Sequence, residues 1–481
     1  MNMIEKIYDN QFFIQGIQIM PKQKSTVYAV IAKPTRVCNA NCSYCSSPPL
    51  EEMGDDWEPE WKIEDFKHYF NKVYPHMVEG AFWIWHGGEP MLMGPKFYRE
   101  CFEYASNIMK KNNKWIHFSI QSNMLGYNEK WREIFGDVFG GSLSTSFDPD
   151  EKERKIKSSS ENYSRIFFQS LNNILEDGFR PMVISVFSEE TAHLMHKMYD
   201  LSLSYEEKAF PIRLNYCHPS GRFENEGEVI SPTTYGKYLI EIYNRWIHDD
   251  PNFTVTPLDI MFKKTIGLDG EGHCPWTKKC GGRFIEIEPN GDIYNCSEFA
   301  DIGKKYCFGN LKEQELDILL QSTQAIKIKR RAVQLPVSCM NCEHFDDCEG
   351  GCARDALLFQ NGMYGKFHYC ISWKMVFSRI KESILLGEAD NLIKRYGQDP
   401  RKIKNEIKNH IERHFSGKIQ ESFYEKGLLH SMGFAHNIFN EKNLYNEQGE
   451  FLLKKEKDLL YKEEKSKLLS IPIQIQYNIE K

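Results

Sequence analysis

Short apolar runs alternate with segments of helical spacing through the first half of the chain. Residues 27–32 (VYAVIA) are β-branched and apolar, which is typical of a buried strand. Similar runs predict five further strands, over residues 80–85, 115–121, 142–147, 181–187 and 212–216. Helical spacing predicts helices between them, over residues 63–73, 97–110, 166–176 and 195–205. Strands that alternate with helices about six times indicate a parallel βα barrel or an open sheet. In such folds the active site lies at the carboxyl ends of the strands.

The pattern changes beyond the sixth strand. Residues 232–246 predict one more helix, and between Cys274 and Cys370 cysteines, glycines and short strands replace the alternation. No cysteine follows Cys370, and no tryptophan follows Trp373. The tail is rich in lysine and glutamate, with apolar residues at helical spacing, as over residues 403–411. We therefore expect a helical extension that is mostly surface-like.

Length, composition and charge exclude several classes of protein. The 481 residues correspond to roughly two to four domains. The formal net charge of −6 argues against a broad basic face for nucleic acid. No apolar run reaches about 18 residues, so we expect no membrane span. The amino terminus mixes charges early and lacks the apolar core of a secretory signal. We therefore expect a cytoplasmic protein with neither a nucleic-acid nor a membrane partner.

The fourteen cysteines are the most informative part of the composition. In a reducing cytosol, clustered cysteines indicate metal or redox chemistry rather than disulfides. Cys38, Cys42 and Cys45 lie close together directly after the first strand. A closed zinc site needs four ligands, whereas three thiolates on a four-iron cluster leave one iron free to bind another molecule. The alternative is three unrelated buried thiols, because free cysteine is a common core residue.

Cys38, Cys42 and Cys45 form the pattern C-x3-C-x2-C, and Tyr44 places an aromatic residue before the third cysteine. In this the chain resembles the radical S-adenosylmethionine (SAM) superfamily. The resemblance implies that the free iron chelates the amino and carboxylate groups of SAM. One electron then cleaves SAM into methionine and a 5′-deoxyadenosyl radical, which abstracts a hydrogen atom from the substrate. The cofactor carries the difficult chemistry, and the protein positions it.

Polar segments after three of the predicted strands strengthen this resemblance. A Gly-Gly-Glu-Pro turn closes the second strand, and the resemblance implies that it holds the methionine amino group of SAM. Glycines let the backbone approach a ligand closely, and an anionic glutamate suits an ammonium group. Taken alone, each segment is also explained as a tight turn or a loop cap. The residues to which the resemblance gives SAM-binding roles are Gly87, Gly88, Glu89, Pro90, Gln121, Ser122, Asn123, Ser146 and Arg154.

A second field holds eight cysteines: Cys274, Cys280, Cys296, Cys339, Cys342, Cys348, Cys352 and Cys370. Their pattern resembles the SPASM domain, the carboxy-terminal extension of many radical SAM enzymes that modify peptides. Eight thiolates fill two four-ligand clusters, so the resemblance implies three 4Fe-4S clusters in all. By family analogy, auxiliary cluster I takes Cys274, Cys280, Cys296 and Cys352. Auxiliary cluster II takes Cys339, Cys342, Cys348 and Cys370 by the same analogy. Spacing alone does not partition the ligands, and C-x2-C pairs are also common in zinc ribbons.

These resemblances define the expected fold. The fold class is α/β, a partial (β/α)6 TIM-like barrel with a cysteine-rich SPASM domain and a helical C-terminal extension. The expected domains are an N-terminal segment (1–25), the radical SAM barrel (26–235), a linker with a bridging helix (236–273), the SPASM domain (274–372) and the extension (373–481). Three cysteines are left over: Cys101, which we expect in the core, Cys217, which follows the sixth strand, and Cys307, which has no assigned role.

The cysteine pattern most resembles that of the anaerobic sulfatase-maturating enzymes, which oxidise a cysteine or serine of a protein to formylglycine. Those enzymes carry an aspartate base directly after the cysteine corresponding to Cys296, where this chain has Ser297. A hydroxyl is a poor proton acceptor near neutral pH, so Ser297 argues against that chemistry. Glu298 and Asp301 are the nearby carboxylates that could replace the base, although solvated loop charges are the simpler explanation.

The remaining interpretation is maturation of a ribosomally made peptide. Fully ligated auxiliary clusters fit one-electron transfer, which lets a substrate radical close as an intramolecular crosslink, a cyclophane among them. We expect a precursor peptide or protein as substrate and an electron donor such as flavodoxin or ferredoxin. Two other classes stay open: a radical SAM oxidoreductase acting on a small molecule, and a non-enzymatic iron–sulfur or zinc module that binds a partner.

Overall fold

The computed structural model describes residues 26–47, 60–156, 158–223, 229–268, 274–359 and 362–414. The expected N-terminal segment (1–25) and the part of the extension beyond residue 414 lie outside the described residues. Within the described ranges, no helix combines the length and the apolar character needed to cross a membrane.

Parallel strands make up most of a single sheet. Seven of them follow one another across it in chain order: β1 (Val27–Ala32), β2 (Met77–Trp85), β3 (His117–Gln121), β4 (Leu143–Ser146), β5 (Met182–Phe187), β6 (Ile212–Tyr216) and β7 (Val255–Thr256). The strands β1 and β6 have the predicted bounds, and the α/β class with a mostly parallel sheet is confirmed. In β6, the buried Ile212 and Leu214 alternate with the half-buried Arg213 and Asn215, so the two faces of the sheet differ.

The second unit of the chain extends the same sheet on its other side. Its three strands are β8 (Phe284–Ile287), β9 (Asp292–Tyr294) and β10 (Gly309–Asn310). Strand β8 lies parallel to β1, with Ala29 opposite Phe284 and Ala32 opposite Ile287. Strands β9 and β10 continue antiparallel. The barrel and the cysteine-rich domain therefore share one hydrogen-bonded sheet, which the sequence does not predict.

Helices connect the parallel strands, as the pattern predicts. They are α1 (Ile63–Val73), α2 (Gly94–Asn112), α3 (Glu129–Asp137), α4 (Ser160–Glu176), α5 (Met195–Leu203), α6 (Pro232–Asp249) and α7 (Leu258–Thr265). Helix α3 was not predicted. It begins after Asn128, whose side chain accepts a hydrogen bond from the Lys130 N–H. Its apolar face buries Trp131, Ile134 and Phe135. This short amphipathic helix connects β3 to β4, so a helix lies between these two strands as well.

Short helices and one long helix follow in the second half. They are α8 (Ser297–Ala300), α9 (Leu316–Leu319), α10 (Thr323–Arg330), α11 (Val337–Met340), α12 (Phe345–Cys348), α13 (Ala353–Leu358), α14 (Cys370–Leu386), α15 (Asp390–Arg395) and α16 (Pro400–His414). The predicted helix over residues 403–411 lies within α16, where Ile403, Ile407 and Ile411 are buried.

Helix α14 corrects the expectation of a mostly surface-like extension, which is wrong for this segment. It packs against α6 and α7, and nearly every residue from Ile371 to Leu385 is buried. Its charged side chains pair inside the fold: Lys381 Nζ lies 2.8 Å from a carboxylate oxygen of Asp347, and Arg379 contacts Glu382. The expected boundary between residues 372 and 373 falls inside this helix.

Candidate active site

The loop after β1 carries three converging thiols. Cys38, Cys42 and Cys45 are half-buried, and each lies near enough to another to disfavour its thiolate. Burial raises the pKa of Cys38 to about 12. Soft thiols that meet in a buried place are suited to a metal cluster, because metal binding removes the thiol proton outright. The donor set therefore fits a three-thiolate iron–sulfur site.

Three neighbouring segments brace this loop through main-chain hydrogen bonds. The end of β2 contributes the N–H of Glu89, which donates to Val37 O at 2.8 Å. The segment after β4 contributes Lys155 O, which accepts from the Asn41 N–H at 2.7 Å. The loop after β6 contributes the N–H of Arg222, which donates to Cys45 O at 3.0 Å. The carboxyl ends of three strands thus fix the thiol loop, and the role of the Arg222 loop was missed by the sequence analysis.

The glycine turn after β2 presses against the same loop. A Cβ on Gly87 would overlap Thr35 O, and a Cβ on Gly88 would overlap Arg36 O and Val37 O. Gly87 also has a φ of +128°, which side-chain-bearing residues rarely adopt. Only glycine lets the two backbones come this close, so the turn and the thiol loop form one rigid unit.

The Glu89 carboxylate is buried and fully used by protein donors. It accepts hydrogen bonds from the Met91 N–H at 2.8 Å, the Ser122 hydroxyl at 2.6 Å and the Asn123 N–H at 2.8 Å. Burial raises its pKa to about 7, and these bonds oppose the rise. The resemblance gives this glutamate the role of an anionic partner for the methionine amino group of SAM. In the structure the carboxylate ties the turn, which continues into Pro90, to the end of β3, and its contact with SAM stays a prediction.

Polar side chains at the ends of β3 and β4 lie beside the thiol loop. Asn123 Nδ2 donates to Asn39 Oδ1 at 2.7 Å, and Gln121 Nε2 lies 3.5 Å from Ser146 Oγ. The structure therefore brings together the segments singled out after β2, β3 and β4.

Arg154 lies against the aromatic residue of the thiol motif. Its Nε donates at 2.8 Å to Asp148 Oδ2, which also accepts from the Tyr44 hydroxyl. The guanidinium carbon stands 5.4 Å from the centre of the Tyr44 ring. Its positive charge lowers the pKa of Cys42, although burial outweighs it. Asp148 thus positions a cation at the edge of the three-thiol site.

Four of the remaining thiols form one set. The thiol of Cys296 lies near those of Cys274 and Cys280, and ionisation of these two would raise its pKa. The thiol of Cys352 lies near those of Cys274 and Cys296, which act on its pKa in the same way. We name Cys274, Cys280, Cys296 and Cys352 set I. Cys352 lies with the other three although Cys339, Cys342 and Cys348 precede it in the chain. That these four thiols hold one cluster stays a prediction.

The other four thiols line one pocket, together with His344, Phe345 and Trp373. We name Cys339, Cys342, Cys348 and Cys370 set II. Among the described residues, no three His, Cys, Asp or Glu side chains come close enough together for a single metal ion.

The two carboxylates considered as bases lie in different surroundings. The side chain of Asp301 is 2% exposed, accepts from the Ser47 hydroxyl at 2.9 Å and lies 3.7 Å from Lys33 Nζ. It belongs to a buried ion cluster with Glu286 and Glu288, so the solvated-loop explanation is wrong for it. Glu298 is 40% exposed and pairs with Arg354.

A polar group that the sequence analysis missed lies at the end of β6. His218 Nδ1 is buried and has no hydrogen-bond partner among the described residues; it lies 3.6 Å from Asp355 Oδ1. Its Nε2 lies 3.8 Å from Glu298 Oε2, and Asp355 also accepts from the Tyr216 hydroxyl. Burial and the Arg354 charge lower the pKa of His218 to about 3, so the ring is neutral. The sequence analysis noted only that the neighbouring Cys217 follows the sixth strand, which pointed to this region but not to His218.

The leftover cysteines take no part in these sets. Cys101 is buried in the core under α2, as predicted. Cys217 is buried beside His218. Cys307 Sγ accepts from the Gly309 N–H.

Comparison with known proteins places this site in a family. Residues 274–343 match SPASM, described as an iron–sulfur cluster-binding domain. The chain is 24% identical over 370 residues to the serine-type anaerobic sulfatase-maturating enzyme of Bacteroides thetaiotaomicron, which covers 69% of this chain and 86% of the relative. In fold it is similar to anSMEcpe with bound AdoMet and Kp18Cys peptide, with a TM-score of 0.64, 18% identity and coverage of 76% and 99%. It is also similar to Streptococcus suis SuiB bound to precursor peptide SuiA, with a TM-score of 0.52, 14% identity and coverage of 72% and 76%.

The three-thiol loop at the end of β1, the turn locked against it and these similarities define a radical SAM protein. More particularly, the chain is a radical SAM/SPASM protein whose auxiliary domain begins at Cys274. Iron–sulfur clusters and SAM are the cofactors of this class.

Proposed function

We propose that the protein is a peptide maturase that joins two side chains of a ribosomally made peptide into a crosslink, a cyclophane among the products. The observation that carries the proposal is the SPASM match together with two sets of four thiols. Peptide-bound relatives of the same fold support a peptide substrate. Ser297 stands where the sulfatase maturases have an aspartate, which favours crosslinking over formylglycine formation.

The chain's residues divide into three cofactor sites in this proposal. Cys38, Cys42 and Cys45 would hold the cluster that binds SAM, while set I and set II would each hold a fully ligated cluster. When bound, SAM and its cluster supply the radical that takes a hydrogen atom from the substrate. The glycine turn and Arg154 would hold the methionine end of SAM, and Gln121, Ser122, Asn123 and Ser146 would line its nucleoside side.

His218 is the group we propose to hold the second proton. Crosslinking removes two hydrogens from the substrate, one as an atom and one as a proton with an electron. With Nδ1–H directed at Asp355, the lone pair of Nε2 is the acceptor. The resulting cation would lie 3.6 Å from Asp355 Oδ1 and 3.8 Å from Glu298 Oε2. The Asp355 charge offsets part of the effect of burial and of Arg354, which lower the pKa of the ring. Asp301 takes no such role, because Lys33 and Arg36 surround it.

A second candidate is formylglycine formation on a sulfatase. The match to the serine-type maturase over most of both chains favours it. A serine substrate would then lose two hydrogens at one residue, with no new bond between residues. Either reaction needs a one-electron donor such as flavodoxin or ferredoxin, and we place the protein in the cytoplasm, where such donors are reduced.

Mass spectrometry after anaerobic co-expression with a short open reading frame that neighbours the gene tests the proposal. We expect a loss of two hydrogens and an absence of fragment ions between the two joined residues. A product that fragments normally and reacts with a hydrazide would instead be formylglycine. The matched control is the Cys38→Ala, Cys42→Ala, Cys45→Ala variant, which should leave the peptide unchanged. Unmodified peptide with the fully loaded wild-type enzyme would overturn the proposal.

The role of His218 is tested with His218→Gln. We expect SAM cleavage to continue while crosslinked product falls about 100-fold or more, as for loss of a general base. His196→Gln is the control, because that histidine pairs with Glu241 away from the strand ends. Equal product from His218→Gln and wild type across the pH range would exclude this histidine as the proton acceptor.

A further inference from the structure

Arg331 is a buried cation with an unusual set of partners. It directly follows α10 and is 3% exposed. Its Nη2 donates to Gly350 O at 2.6 Å, and its Nη1 donates to Gly365 O at 3.0 Å and also to Met363 O. Three main-chain oxygens therefore fix the guanidinium in one place and one orientation.

The position of Arg331 lies between the two thiol sets. Gly350 is two residues from Cys348 of set II and two residues from Cys352 of set I. Cysteines of both sets are near enough to act on the guanidinium when they are thiolates: Cys280 and Cys352 of set I, and Cys339 and Cys348 of set II. Arg331 in turn favours the thiolate forms of Cys280 and Cys339.

Arg331 has no carboxylate to balance its charge. Among the described residues, no Asp or Glu pairs with it, and its hydrogen bonds all go to neutral carbonyls. Arg379, which is also buried, is paired with Glu382 and Glu388. A buried cation is strongly destabilising unless a negative charge compensates it. Neutral thiols supply no such charge, whereas cluster-bound thiolates do.

We propose that Arg331 is the shared counter-charge of the two auxiliary iron–sulfur sites and that it favours their reduced states. This proposal rests on the proposed assignment of a cluster to each thiol set, and it does not depend on the identity of the substrate. Reduction adds one electron to a site, and a fixed cation between two such sites stabilises that added charge. Nearby charge is one of the means by which proteins set cluster potentials.

The experiment uses the full chain, reconstituted anaerobically with iron and sulfide and without any peptide. Arg331→Met removes the charge, Arg331→Lys keeps it, and Arg330→Met removes an exposed charge from the preceding position as the matched control. The readouts are iron content and redox titration followed by electron paramagnetic resonance. The SAM-sensitive signal of the first cluster serves as the internal reference.

At the potential that half-reduces the wild-type auxiliary clusters, we expect the reduced-to-oxidised ratio in Arg331→Met to fall about tenfold, as for one nearby charge in a medium of effective dielectric constant about 20. Arg331→Lys and Arg330→Met should titrate like wild type. Loss of only the auxiliary irons in Arg331→Met, with retention in Arg331→Lys, would also support a role for the charge.

Two results would overturn the inference. One is Arg331→Met with full iron content and wild-type titration. The other is equal loss of auxiliary iron from the Met and Lys variants, which would assign Arg331 to holding the loop rather than to charge. A wild-type content of about four irons, instead of about twelve for three clusters, would remove the auxiliary sites themselves. Failure of peptide crosslinking leaves all these readouts intact, so the two proposals fail separately.

Discussion

The Ser122 hydroxyl donates a 2.6 Å hydrogen bond to the carboxylate of Glu89, 33 positions earlier in the chain. This bond joins the glycine turn after β2 to the end of β3, and both segments contact the three-thiol loop. The buried Glu89 carboxylate therefore links two of the segments that form the candidate SAM site, through hydrogen bonds from protein groups.

Ser122→Ala should destabilise the fold by about 2 kcal/mol, because a buried carboxylate loses one of three donors. Anaerobic urea unfolding measures this change in the free energy of unfolding. Ser119→Ala, on a half-buried serine of the same strand, should change it by less than about 0.5 kcal/mol. Equal effects of the two substitutions would show that the Glu89 bond contributes nothing specific.

Gly88→Ala should disable the first cluster site alone. The added Cβ overlaps Arg36 O and Val37 O, so the thiol loop has to move. We expect iron content to fall from about twelve to about eight per chain, with loss of the SAM-induced change in the reduced spectrum. Gly126→Ala is the control, since nothing lies within 4 Å of its Cβ position. Full iron content and a normal SAM response in Gly88→Ala would contradict this account of the turn.

His86→Asn should make the protein less sensitive to acid. Burial and the charge of Lys33 lower the pKa of His86 to about 3 from its ordinary value of 6.5. Between these values the unfolded chain binds a proton that the folded chain does not, so stability falls as pH falls through this window. We expect the slope of unfolding free energy against pH to drop by about 1.4 kcal/mol per pH unit near pH 5. Asparagine keeps an acceptor for the Gly87 N–H, which donates to His86 Nδ1 at 2.8 Å. If the unfolding free energies of variant and wild type changed with pH in parallel, His86 would not be the source of the acid sensitivity.

Gly236→Ala should loosen the contact between α6 and α14. Its Cβ would lie 2.7 Å from Met375 Cε and 3.0 Å from Ser372 Cα, and the backbone of a packed helix gives way poorly. We expect a loss of about 1–3 kcal/mol in unfolding free energy, as for overpacking. Gly136→Ala in α3 is the matched control, because its Cβ meets only Phe179 Cζ at 3.8 Å. That variant should be as stable as wild type or more so, and a similar loss in both would rule out the helix contact as the cause.

Local pattern predicts what depends on neighbours in the chain. Strands β1 and β6 and helix α1 have their predicted bounds, because β-branched runs and helical spacing signal burial on one or two faces. The C-x3-C-x2-C loop and the glycine turn were likewise recognisable, since each concentrates its chemistry in a few consecutive residues.

The missed features are those that depend on distant partners. Lys381 and Glu382 suggest a solvated helix face until Asp347 and Arg379 are seen to pair with them. His218 and Asp355 come from a loop and a helix far apart in sequence. The proposed role of Arg331 depends on its position between the two thiol sets, which the sequence around it does not reveal. Strand β8 is four residues long, too short to reveal its register against β1.

Because β8 hydrogen-bonds along β1, removing the auxiliary domain would strip one flank from the strand that precedes the Cys38 loop. The amide and carbonyl groups of β1 that β8 had paired would then be exposed at a sheet edge, where strands of other chains could pair with them. A fragment ending before Phe284 should therefore precipitate rather than act as a minimal SAM-cleaving enzyme.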